Sequence, residues 1–146
     1  MATPSEIAKM WEKDCVVDQT NLGRSSAETP ALHGKYISLW TTTQLQLRNA
    51  EVDFLKMRKL RTEWYQGTMS KEKLQELEWS PYLKARPLKS ELIDLLESDE
   101  QMIVKTDAVK VLQIAAEELK HIIGAIKDRG YSIQNAINHQ KFMQGN

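Results

Sequence analysis

The chain is poor in residues that staple or coordinate. A single cysteine, Cys15, among 146 residues excludes an intrachain disulfide and any metal site built on several thiolates. The histidines, His33, His121 and His139, share no ligand spacing, so neither a metal nor another cofactor is expected. Long apolar runs are missing. The purest, Ile122-Ile123-Gly124-Ala125-Ile126, is too short to span a bilayer. The Met-Ala-Thr-Pro start lacks the basic and apolar regions of a signal peptide, so the expectation is a cytosolic protein without a membrane partner. Net charge is absent too: 20 Lys and Arg balance 20 Asp and Glu, and any nucleic-acid binding must come from uneven distribution. A phosphate-binding loop is also missing. At Gly34-Lys35 the first glycine of that motif is replaced by Thr29, and Tyr36 follows the lysine. No Ser-His-Asp or Cys-His arrangement has local support, and the carboxylates fall mostly on the solvated faces of amphipathic helices. The chain is not expected to be an enzyme.

What the sequence does have is helical periodicity. With 41% hydrophobic and 27% charged residues, it suits a folded protein with a large solvated helical surface, and its length suits one domain, residues 1–146. A short helix is expected from Ser5 to Asp14, capped by Ser5, with Ile7, Met10 and Trp11 apolar. Asp18 to Pro30 reads as a loop on Asn21, Gly23, Ser25, Ser26 and Pro30. A long helix follows from Ala31 to Gln66, its seam running Tyr36, Trp40, Thr43, Leu47, Ala50, Phe54, Met57, Arg61, Trp64 in steps of four and three, and Gly67 stops it. Residues 68–98 are the least regular. Pro81 and Pro87 break them, and Lys84, Arg86 and Lys89 precede an acidic run, Glu91, Asp94, Glu97, Asp99 and Glu100, read as a solvated face. A second long helix runs from Asp99 to Arg129 on a seam of Met102, Val109, Leu112, Ala116, Leu119, Ile123 and Ile126, and Gly130 ends it. A last helix, Ser132 to Met143, places Ile133, Ala136 and Ile137 on one face. Strand signals are weak throughout. The fold class is therefore all-α, made of long amphipathic helices with coiled-coil-like seams. One short chain can hardly cover such seams, so neighbouring copies are implied.

One segment points to chemistry. Between Leu55 and Gly67, four cations fall within six residues, Lys56, Arg58, Lys59 and Arg61, with no acid among them; Trp64 and Tyr65 follow. Cations neutralise phosphates and release counterions, and aromatic rings offer stacking platforms for unpaired bases. The combination fits single-stranded nucleic acid better than duplex. At roughly 100° per residue, Lys56 and Lys59 lie on one edge of the helix and Arg58 and Arg61 on another. Arg61 also falls in the apolar seam, where it must meet a carboxylate, a phosphate or water. The plainer reading is an ordinary solvated helix with Trp64 and Tyr65 in the core. Trp11, Trp40 and Trp79 are read as core or interface residues, and Cys15 as a small buried apolar residue.

Lys59-x-Arg61-x-x-Trp64-Tyr65-x-Gly67 resembles the Lys-x-Arg-x-x-aromatic-Tyr-x-Gly motif of UvsY-type recombination mediators of tailed phages. Ala125-Ile126-Lys127-Asp128-Arg129-Gly130-Tyr131-Ser132-Ile133, then Ile137, Phe142 and Gly145, resembles that family's C-terminal tail, and Asp14-x-x-x-Asp18-x-Thr20-x-Leu22 is similar to its N-terminal pattern. The two main motifs stand about 65 residues apart, in the family's order. Residues 68–98 match poorly, and Trp64 replaces the family's usual tyrosine. The resemblance implies a non-enzymatic mediator that binds single-stranded DNA. It would help a RecA-like phage recombinase displace the phage single-strand-binding protein, contacting both, in recombination, repair and recombination-dependent replication. It also implies a ring-like homo-oligomer, expected to have six or seven subunits, in the cytoplasm of the infected host. Lys59 and Arg61 match the family's DNA-binding cations, with Arg58 and Lys56 as neighbours and Trp64 and Tyr65 as stacking residues. Residues 1–67 then form the DNA-binding part, 68–98 a connector and 99–146 the assembly part. The alternative is a helical scaffold that oligomerises without binding DNA.

Overall fold

The computed structural model describes residues 2–145. It consists of α1 (Pro4–Asp14), α2 (Leu22–Gln66), α3 (Lys71–Leu77), α4 (Lys89–Ser98) and α5 (Glu100–Met143), with no strand among the described residues. The all-α class is as expected. Two compact units divide the chain, one from Met1–Gln46 with Val111–Asn146 and the other from Leu47–Lys110. The division falls inside α2 and α5, not at the ends of helices.

In the first unit, α1 is started by Thr3 rather than Ser5. The Thr3 Oγ1 accepts from the Glu6 N–H at 3.2 Å and the Glu6 carboxylate accepts from the Thr3 N–H at 3.1 Å. Pro4 dictates this: it suits the first helical position, where no N–H is needed, and so puts the cap one residue before it. Ile7 of α1, Tyr36 of α2 and Ala115, Leu119, Ile122 and Ile126 of α5 form the core, flanked by Met10, Trp11, Leu32, Leu39 and Trp40. The Trp11 and Tyr36 rings meet edge to face at 5.5 Å.

Two further boundaries differ from the sequence reading. Helix α2 begins at Leu22, not Ala31. Asn21, read as a loop residue, is its cap: Asn21 Oδ1 accepts from the Arg24 N–H at 3.1 Å. Pro30 lies inside the helix. It removes the hydrogen bond to the Ser26 carbonyl, but Ser26 and Pro30 are both exposed, so water can serve that oxygen. Leu22 and Ser25, in the same turns, are buried and hold the helix to the rest of the unit. Likewise α5 runs on through Gly130 to Met143. An interior glycine costs about 1 kcal/mol relative to alanine. Ile126 and Ile133, buried on either side of Gly130, outweigh that, at about 1.5–3 kcal/mol for each fully buried aliphatic side chain.

In the second unit, Tyr65, Leu96 and Met102 are buried, with Phe54, Met57, Trp64, Tyr82, Leu92 and Leu95 packed against them. Gly67 ends α2 as expected. Its φ is +71°, and the Thr68 N–H reaches back to the Glu63 carbonyl at 3.1 Å, a closure that needs a left-handed residue. Helix α3 closes the same way on Glu78, with the Trp79 N–H donating to the Leu74 carbonyl at 2.9 Å. Pro81 and Pro87 fall between α3 and α4, outside helix. Both long seams have the expected period: each named member of α2 and α5 is buried or partly buried.

Candidate nucleic-acid interface

The last turns of α2 carry the basic segment, and the structure sorts its residues into two sets. Lys56, Arg58 and Lys59 are exposed. Lys56 and Lys59 share one edge with Leu60 and Glu63, and together they line a groove of about 700 Å3 closed by Thr68, Met69, Ser70 and Lys73. Arg58 is on a different face. It borders a cleft of about 220 Å3 with Phe54, Ile93, Leu96, Glu97, Met102 and Thr106. The separation of lysine and arginine edges follows from the helical angle.

Arg61 and Tyr65 make up the second set, and both are buried. Arg61 is 8% exposed and Asp99 5%. Arg61 Nε and Nη2 donate to Asp99 Oδ2 at 3.0 and 2.7 Å, and the Tyr65 hydroxyl donates to the same oxygen at 2.7 Å. Asp99 Oδ1 accepts from the Met102 N–H at 3.0 Å, capping α5. The Arg61 guanidinium also lies 4.1 Å from the Trp64 ring centroid and 4.8 Å from that of Trp79. The charge in the seam thus meets a carboxylate of its own chain. Burial pushes the Asp99 carboxyl up, but the hydrogen bonds from Arg61, Tyr65 and Met102 outweigh it and hold Asp99 below the usual carboxylate range. Burial, then the bond to Asp99, pushes the Tyr65 phenol up.

Trp64 is partly buried; its Nε1–H donates to the Ser80 carbonyl at 2.7 Å. Its ring lies 4.8 Å from Tyr65 and 4.9 Å from Tyr82. All three rings border a cleft of about 430 Å3 with Pro81, Leu83, Lys84 and Leu95. Sequence reasoning missed Lys73, Tyr82 and the role of Asp99, while Trp79, read as a core or interface residue, is partly buried with Arg61 over its ring. Lys73 alternates with acids in Lys71-Glu72-Lys73, so no cationic run marks it, and Asp99 was absorbed into an acidic run.

Two of the remaining motif residues, Asp14 and Arg129, meet in the first unit. Asp14 Oδ2 accepts from Lys35 Nζ at 2.7 Å and from the Tyr36 hydroxyl at 2.9 Å, while Arg129 Nη1 donates to the Asp14 carbonyl at 2.7 Å. The patterns around Asp14 and Arg129 are therefore one tie among α1, α2 and α5. Burial raises the Asp14 carboxyl, and the bonds from Lys35 and Tyr36 more than reverse that. Cys15 is exposed, not buried as the sequence suggested: it follows the last residue of α1, beyond the face that Ile7 and Trp11 turn to the core. Among the described residues no helix is long and apolar enough to cross a membrane, and no cluster of His, Cys, Asp or Glu is placed to hold a metal ion.

Architecture and surface together define a class: an all-helical protein on two long helices, with a lysine-lined groove at the end of the first. A family model described as "Recombination, repair and ssDNA binding protein UvsY" matches residues 10–146, and the chain belongs to that family of recombination, repair and single-stranded-DNA-binding proteins. The fold is similar to crystal structures of the bacteriophage T4 recombination mediator protein UvsY. One, lattice type II, matches with a TM-score of 0.84 at 20% identity over 96% of each chain. Another, lattice type IV, matches with 0.84 at 19% identity over 95% of this chain and 98% of that one. No curated protein matches.

Proposed function

We propose that this protein is a recombination mediator that holds single-stranded DNA on the exposed cations at the end of α2 and promotes loading of a RecA-like phage recombinase onto DNA covered by single-strand-binding protein. The observation that carries this is the exposure of Lys56, Lys59 and Arg58 on the segment that matches the family motif. Lys56 and Lys59 take phosphates along the groove edge; Arg58 takes a phosphate on the adjoining face. Trp64, beside Tyr82 at its own cleft, offers a ring for an unpaired base. No covalent chemistry is required. The activity belongs to a ring-like homo-oligomer of six or seven subunits in the cytoplasm of the infected host. Apolar side chains left open on the long helices, among them Leu45, Leu55, Val104 and Ile114, support assembly. Many weak contacts on one strand then add through effective concentration. The recombinase and the single-strand-binding protein are the protein partners.

The test is binding to single-stranded and duplex oligonucleotides across a salt series. Preference for the single strand, with log affinity falling linearly against log salt, supports the reading. Equal, salt-insensitive affinity for both leaves only a scaffold.

A further inference from the structure

Lys73 belongs to α3, yet it faces Lys56 and Lys59 of α2 across the groove, with Glu63 as the carboxylate on the same wall. Its ion pair with Glu76, at 3.5 Å, is exposed and weak enough for a phosphate to replace. What sets α3 beside α2 is visible at the far end of α3. The Arg61 guanidinium lies between the Trp64 and Trp79 rings, and Trp64 Nε1 holds the Ser80 carbonyl. Trp79 closes α3 through its N–H to Leu74. Arg61 is in turn fixed by Asp99.

Resting on the DNA-binding reading above, we propose that Lys73 completes a three-lysine groove for the phosphates of a single strand, and that Arg61 is a positioning residue, holding α3 in place through Trp79 without touching the strand. The reason is electrostatic and steric at once. The Arg61 guanidinium is buried against two indoles and spends its Nε–H and one Nη2–H on one carboxylate oxygen, so it presents far less to a phosphate than a solvent-facing cation does. The ammoniums of Lys56 and Lys59 are exposed with their donors to offer, and that of partly buried Lys73 has only the weak pair with Glu76 to give up. Arg61 therefore influences DNA affinity only through the groove it helps to build.

The experiment uses the full chain and an oligo-dT strand, with affinity measured across a salt series beside thermal unfolding and sedimentation. Lys73→Ala should flatten the slope of log affinity against log salt by about 0.7, the value of one single-strand phosphate contact, with assembly and melting unchanged. Trp79→Leu removes no charge, yet should flatten the slope by the same amount, because α3 is no longer held. The double variant should lose no more than either alone, the mark of two residues acting through one contact. An unchanged slope for Lys73→Ala, while Lys59→Ala flattens it, overturns this inference and leaves the wider reading standing. An unchanged slope for a folded Trp79→Leu overturns the positioning role. A wild-type chain without salt-dependent binding overturns both readings.

Discussion

At Arg61 a full positive charge lies in a seam whose other members are mostly apolar, and Asp99 gives it a partner 2.7 Å away. Removing one side of a buried pair strands the other, at a cost of about 3–5 kcal/mol. Asp99→Ala should therefore lower the free energy of unfolding in urea by that amount, more than loss of an exposed pair such as Arg24–Glu28 would. The same carboxylate gives stability a pH dependence. Its folded pKa is depressed, so its contribution is fully present above the ordinary carboxylate pKa of 3.8 and is lost as pH falls from there through the lower folded value. Urea midpoints measured between pH 7 and pH 2 should fall with acid in the wild type, and fall less steeply in a folded Asp99→Asn variant. The need for a partner at Arg61 was legible in the sequence, because the residue stands in a period-four-and-three seam. Its identity was not. Five acids between Glu91 and Glu100 look alike in composition, and only the break between α4 and α5 turns Asp99 inward.

Among the helices, glycine and proline carried less information than their usual roles suggest. Gly67 and Gly130 both follow apolar periodic segments, and both read as stops. Gly67 is one, with φ at +71°, whereas Gly130 continues α5 at negative φ, with open space where a methyl group would stand. The two alanine substitutions should thus have opposite signs. Gly67→Ala forces a side chain into the left-handed region and should destabilise by about 1–2 kcal/mol. Gly130→Ala should stabilise by about 0.4–1 kcal/mol through a less mobile unfolded chain. Denaturant titration of both variants checks the pair; a stabilised Gly67→Ala would contradict the closure drawn at the end of α2. What separates the two sites is long-range. Buried Ile133 pulls α5 past Gly130, while the chain after Gly67 turns into α3. Local pattern located α1 and the interiors of α2 and α5 well, and misjudged the ends where tertiary burial overrides a breaker.

For the whole molecule, class and family were legible because seams and motifs are distributed along the chain. The division into two units was not, because the seam of each long helix passes through it without a change of period. Sedimentation at micromolar concentration should show several subunits; a clean monomer would remove the multivalent grip. The central claim is that exposed lysines at the end of α2, not the buried arginine beside them, hold the strand. The most direct measurement is the salt dependence of single-stranded DNA binding for Lys56→Ala/Lys59→Ala, with oligomer size followed alongside. The slope of log affinity against log salt should flatten by about 1.4, two contacts at about 0.7 each, in an assembly of unchanged size. An unchanged slope in a variant that stays assembled would contradict the claim and move the DNA to another surface.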